Sequence, residues 1–324
     1  MRTLSIISNV GSNQQIKKIF KNSFGHFRAV WRIFFYITFL LILFKLVDLL
    51  GDSFLSFQGE NLSDYELVVN RFVSKFIKFI SVCIPAIVLL KWVDKRPLTL
   101  LGMGFYKEII RELSIGMLMT FILMTLCALI LYFTGVASFS YNGFSIGLFF
   151  YMLSVLFVLI ISACFEEVLF RGYIFQSLIE GSNFWIALGV YSLLFGAAHL
   201  NNEEVTVYSI AVTILAGALL GTIYYKTRAL WMCIGAHFMW NWMLGPFFGL
   251  AKSKFLRRNL FTYHPAELDF ILGADDINEI IIGILCLVLT IYIWKAKWLK
   301  PAEYNRNLWS KYPNKYGTEP LINE

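Results

Sequence analysis

Eight predominantly apolar runs of roughly 20 residues constrain this chain more than any other feature, since that length crosses a hydrocarbon core about 30 Å thick. They fall near 29–50, 74–93, 114–135, 146–170, 184–201, 205–225, 229–250 and 277–297. Each run is continuous rather than alternating at every second residue, which selects helices over barrel strands. With 15% charged residues and a mean hydropathy of +0.66, the chain is too apolar for a soluble domain. The expected fold is all-α: a polytopic membrane protein of about eight transmembrane helices in one bundle, with a buried polar cavity.

Three regions follow. Residues 1–28 form a basic N-terminal segment, residues 29–297 the bundle, and residues 298–324 a polar tail expected to be flexible. The first span has no small-residue cleavage site after it, so it is expected to be retained. Lys17, Lys18, Lys21 and Arg28 precede it, Lys91, Lys95, Arg96, Lys107 and Arg111 lie between spans two and three, and Lys295, Lys297, Lys300 and Arg306 follow span eight. Eight spans put all of these on one side, so both termini are expected in the cytoplasm. The basic stretch AKSKFLRRNL after span seven dissents, and calls for either an interfacial fold or a different span count. The net charge of +7 belongs to these loops and to anionic lipid, and gives no sign of nucleic-acid binding. Five cysteines without a CxxC pair read as small buried hydrophobes. Trp31, Trp92, Trp185, Trp231, Trp294 and Trp298 mark span ends.

Against this background the stretch EEVLFR at 166–171 stands out. A carboxylate near the hydrocarbon centre costs a few kcal/mol and requires a partner. Glu167 and Arg171 are four apart and share a helix face, so they can pair, whereas Glu166 points about 140° away from Arg171. Two of the chain's four histidines also lie in apolar runs: His199, four after Phe195, and His237, four before Asn241. At 1.5 Å per residue, Glu166 reaches the depth of both histidines only if helix four continues to about Gln176 or Leu178. GALLG, with Gly217 and Gly221, reads as a close helix contact. Neither a Ser-His-Asp set nor HExxH is present. A desolvated glutamate can deprotonate water, and His237 with Asn241 can donate to an oxyanion. Glu166, His199 and His237 can alternatively furnish a zinc site.

EEVLFR, FGAAH and HFMWN, in this order, resemble the three signatures of the CAAX-protease and bacteriocin-processing family, also called CPBP or Abi, over about 146–245. The resemblance implies an eight-helix intramembrane endopeptidase that cleaves a hydrophobic or lipidated peptide, or serves peptide maturation and bacteriocin immunity. It implies Glu166 as general base, His199 as its partner on water, His237 and Asn241 as the oxyanion pair, and Glu167 and Arg171 as supporting residues. The expectation is a metal-free mechanism without cofactor, with zinc held by Glu166, His199 and His237 as the alternative. A non-catalytic immunity or scaffold protein of the same fold is the other class to weigh. A transporter has less support, because neither inverted repeats nor broken helices are visible.

Overall fold

The structure, a computed structural model, describes residues 19–21, 27–54, 62–202, 205–250, 256–267 and 272–311. Most of the basic segment 1–28 and the end of the tail, 312–324, lie outside the described residues. Eight helices coincide with the eight apolar runs. They are α1 (Ala29–Phe54), α2 (Asp64–Val93), α3 (Ile109–Phe133), α4 (Ile146–Gly181), α5 (Phe184–Ala197), α6 (Val207–Thr227), α7 (Trp231–Trp242) and α8 (Ala274–Lys295). Six of them are long and apolar enough to cross a membrane, while α5 and α7 are shorter. The chain is an integral, multi-pass membrane protein. Phe34, Leu41, Ile42, Phe121, Phe149, Phe157, Ile186 and Val288 turn outward and are exposed in the isolated chain, as lipid-facing residues are.

Local sequence explains the helix ends. α2 begins ten residues before its apolar run because Ser63 and Glu66 form a reciprocal capping box that admits the polar turn DYEL. Ser145, Asn183 and Thr206 cap α4, α5 and α6, each side chain accepting a backbone N–H. α4 runs straight through EEVLFR to Gly181, as the depth condition requires, with a π-helical stretch at Val168–Phe175. π-helical turns inside α-helices recur at functional sites.

Close packing fixes α7, which carries His237. A Cβ on Gly116 of α3 would collide with the Met232 carbonyl oxygen, and one on Gly235 of α7 with that of Leu113. The two backbones therefore touch, and only glycine fits at either position. GALLG behaves as expected on α6: a Cβ on Gly217 would lie 3.2 Å from Phe195 of α5.

Two short strands depart from the all-helical reading without changing the class. β1 (Ala137–Tyr141) pairs antiparallel with β2 (Phe261–Pro265), joining the α3–α4 and α7–α8 connections at one end of the bundle. This resolves the dissenting basic stretch, whose residues 251–255 lie outside the described residues. Arg258 Nε bonds Asp64 Oδ2 at 2.6 Å, and Arg257 lies 3.7 Å from the same carboxylate, so an acidic partner at the start of α2 offsets this charge. The eight apolar runs are met by eight helices, of which six are long and apolar enough to cross.

At the opposite end a buried ionic network ties three helices. Arg32 of α1 bonds Asp94 and Glu180 at 2.7 Å each, Arg96 pairs with Glu180, and Tyr173 donates to Asp94 at 3.2 Å. The expected flexible tail is corrected there. Residues Glu303–Lys311 form a ninth helix, α9, whose Trp309 is buried and donates to the Arg228 carbonyl, while Tyr304 stacks on Tyr106. Aromatic burial outweighs the polar composition of this segment.

Candidate functional site

The site is assembled from α4, α5 and α7 around the EEVLFR turn. Glu167 and Arg171 are both fully buried and pair directly, as their spacing of four predicts. The guanidinium also sits over the rings of Tyr191 and Phe195, 5.1 and 4.8 Å from their centroids. A charge pair removed from water is tolerated when its members are multiply engaged, and here the aromatic faces add cation–π contacts to the ion pair, while Arg171 Nε and Nη2 make no hydrogen bond among the described residues.

Glu167 has a second task that spacing did not reveal. His237 Nδ1–H donates to Glu167 Oε1 at 2.7 Å, so one carboxylate oxygen holds Arg171 and His237 together. His199 is fixed by a different acceptor, its Nδ1–H donating to the Phe195 carbonyl at 2.8 Å. With both Nδ1 atoms engaged, both rings present Nε2 to the same neighbour. His199 Nε2 and His237 Nε2 each lie 3.6 Å from Glu166 Oε2. That separation exceeds a hydrogen bond and leaves room for one water to touch acid and imidazole together. The Phe195 ring packs 4.8 Å from His199 and 6.3 Å from His237, centroid to centroid, and so spaces the two.

Glu166, unlike Glu167, reaches open space. Together with His199, His237 and Asn241 it lines a cavity of about 1140 Å³, the buried polar cavity expected of the bundle. The six residues to which the resemblance assigns roles thus converge: four on the cavity wall, and Glu167 and Arg171 immediately behind it.

One site residue escaped sequence reasoning. Lys75 of α2 lines the cavity, and its Nζ lies 4.0 Å from Glu166 Oε1. It stands at the polar margin of an apolar run, where a lysine reads as reaching for the interface, and nothing local ties it to a glutamate 91 positions away. Trp240 and Trp242, which flank Asn241, do not line the cavity. His264 is exposed, its Nε2 2.8 Å from Ser140 Oγ, and His26 lies outside the described residues.

Glu166, His199 and His237 are the donor set that a zinc ion would use here. Tethered Nδ1 atoms are typical of ligating histidines, yet among the described residues no three His, Cys, Asp or Glu side chains are grouped closely enough to hold a metal. All five cysteines are free, Cys127, Cys233 and Cys286 being buried.

Comparison with known proteins bears on the same segment. Residues 146–243, which contain all three motifs, match the model of the type II CAAX prenyl endopeptidase Rce1-like family. A Bacillus subtilis (strain 168) protein named "Putative membrane peptidase YdiL" is 32% identical over 82 residues, which make up 25% of this chain and 32% of that protein. The chain therefore aligns with about a third of the length of this curated relative. No solved structure matches it. Through residues 146–243, the segment that builds its site, the chain is similar to the type II CAAX prenyl endopeptidase Rce1-like family.

Proposed function

We propose that the protein is an intramembrane endopeptidase that hydrolyses a peptide bond in a membrane-associated peptide with an apolar or lipidated end. The observation that carries this reading is the convergence of two imidazole Nε2 atoms on one oxygen of Glu166, at the wall of a cavity within a membrane bundle.

In this reading Glu166 accepts a proton from water held between its carboxylate and His199 Nε2, and the resulting hydroxide attacks the peptide carbonyl. Proton acceptance by a positioned base contributes typically 10²–10⁴-fold. Asn241, one helical turn beyond His237, donates its side-chain N–H to the oxyanion of the tetrahedral intermediate; His237, its Nδ1–H held by Glu167, donates as well only when Nε2 also carries a proton. Glu166 then returns its proton to the leaving amine. Glu167 and Arg171 keep His237 in place, and Lys75 stands beside Glu166 on the cavity wall. No step is routed through a metal; zinc held by Glu166, His199 and His237 is the alternative that the chelation test below separates from this mechanism. The cavity walls, Leu159, Ile210 and Leu244 among them, suit an apolar peptide.

The test is cleavage of a peptide panel by detergent-purified protein, with Glu166→Gln and His199→Ala alongside and metal content measured on the same samples. The reading requires cleavage by wild type, loss in both variants, and full activity after chelation. Reversible loss on chelation together with stoichiometric zinc would replace the metal-free mechanism. A partner bound equally by wild type and Glu166→Gln, with no peptide cleaved, would point to the scaffold role instead.

A further inference from the structure

We propose that the cavity opens only on the extracytoplasmic side of the membrane, so that the peptide cleaved under the reading above arrives from outside the cell.

Three observations point this way. The first is which residues line the cavity. Leu67, Asn201, Thr206, Gly249, Pro265 and Asp275 form its outer part, and they lie at or next to the N-terminal ends of α2, α6 and α8 and in the connections beside β2. The β1–β2 pairing puts these connections at the bundle end shared with the α3–α4 connection. No residue of the α2–α3 connection, the α6–α7 junction or the end of α8 lines the cavity.

The second is a helix too short to cross. α5 has 14 residues and rises roughly 21 Å, against a hydrocarbon core about 30 Å thick. Starting beside the end of α4, it stops short of the β1–β2 end, and the chain turns back at Ala198–Asn202 within the membrane depth. Non-helical backbone is tolerated at that depth only where it is buried in protein or lines a water-filled space. Asn201 and Asn202 are exposed there and face the cavity.

The third is a sealed floor. Toward the other end, Phe170, Arg171, Tyr173 and Phe175 are buried, and beyond them the ionic network of Arg32, Asp94, Arg96 and Glu180 closes the space between α1, α2 and α4.

Charge then assigns the sides. Lys91, Lys95, Arg96, Lys107, Arg111, Lys226, Arg228, Lys295, Lys297 and Lys300 cluster at the sealed end. At the open end the α7–α8 connection holds Lys252, Lys254, Arg257 and Arg258, the last two within reach of Asp64, and the sequences of the α1–α2, α3–α4 and α5–α6 connections hold no Lys or Arg. Under the positive-inside bias the sealed end is cytoplasmic and the mouth external.

The experiment reads accessibility and needs no activity. Single cysteines are placed in the full-length chain at the mouth (Asn201→Cys, Val205→Cys) and at the sealed end (Lys300→Cys), with wild type as the labelling blank. Intact cells are treated with a membrane-impermeant maleimide, then permeabilised and probed with a permeant one. Prior treatment should abolish the later signal at positions 201 and 205 and leave that at position 300 unchanged. Protection of 201 and 205 in intact cells, with loss only after permeabilisation, would overturn the proposal. Because labelling is independent of turnover, that result would leave the peptidase reading standing, and an inactive enzyme would leave the sidedness standing.

Discussion

Replacing Arg171 by methionine removes the cation and keeps most of the side-chain volume. Glu167, fully buried beside it, then retains only His237 as a partner. Removing one member of a buried pair costs about 3–5 kcal/mol, since the remaining charge is desolvated without compensation. The contacts over Tyr191 and Phe195 lose a further ~0.5–1 kcal/mol each if partly replaced by the thioether. These terms share one side chain and do not simply add. The expected loss is therefore about 3–5 kcal/mol in reversible unfolding from mixed micelles. The double variant Glu167→Gln/Arg171→Met should recover at least half of it, because no uncompensated charge remains. Equal stability of the single variant and wild type, within about 1 kcal/mol, is the behaviour of an exposed pair and would refute the buried arrangement.

Three further outcomes follow from the same geometry. Lys75→Met should slow cleavage roughly five- to tenfold, as expected for an exposed-to-intermediate ion pair of about 1 kcal/mol, and Lys75→Arg should restore most of the rate; equal rates for all three would remove Lys75 from the site. Gly235→Leu must force α7 away from the Leu113 carbonyl, so stability should fall by at least the ~1–3 kcal/mol of an overpacked core, with activity lost as His237 moves; a stable, active variant would contradict the backbone contact. Trp309→Ala should release α9, seen as faster proteolysis near residue 303 in limited digestion with cleavage activity intact, and unchanged proteolysis would show that Trp309 does not dock the helix.

Much of the architecture was legible because lipid imposes a simple rule: every spanning segment must satisfy its own backbone, so apolar length predicts helices directly. The eight runs and the three motifs were readable for that reason, and the spacing of Glu167 to Arg171 gave their pairing. What local sequence could not show was tertiary. The bond from His237 to Glu167 joins α7 to α4 across 70 positions, and Lys75 meets Glu166 from a helix whose start is set by the Ser63–Glu66 box rather than by hydropathy. β1 and β2 are five residues each and pair over more than a hundred positions, too short and too distant for their pattern to stand out. α9 was hidden because few of its residues are apolar; its docking rests on Trp309 and on Tyr304 at its start.

The central claim is that Glu166, not Glu167, activates the water. Its most direct test is single-turnover cleavage of one identified peptide by wild type, Glu166→Gln and Glu167→Gln, all shown to be folded in the same detergent. The account predicts that Glu166→Gln lowers the chemical step by about 10²–10⁴-fold without weakening peptide binding, while Glu167→Gln loses less because it only orients His237. A Glu166→Gln enzyme that cleaves within tenfold of wild type would contradict it.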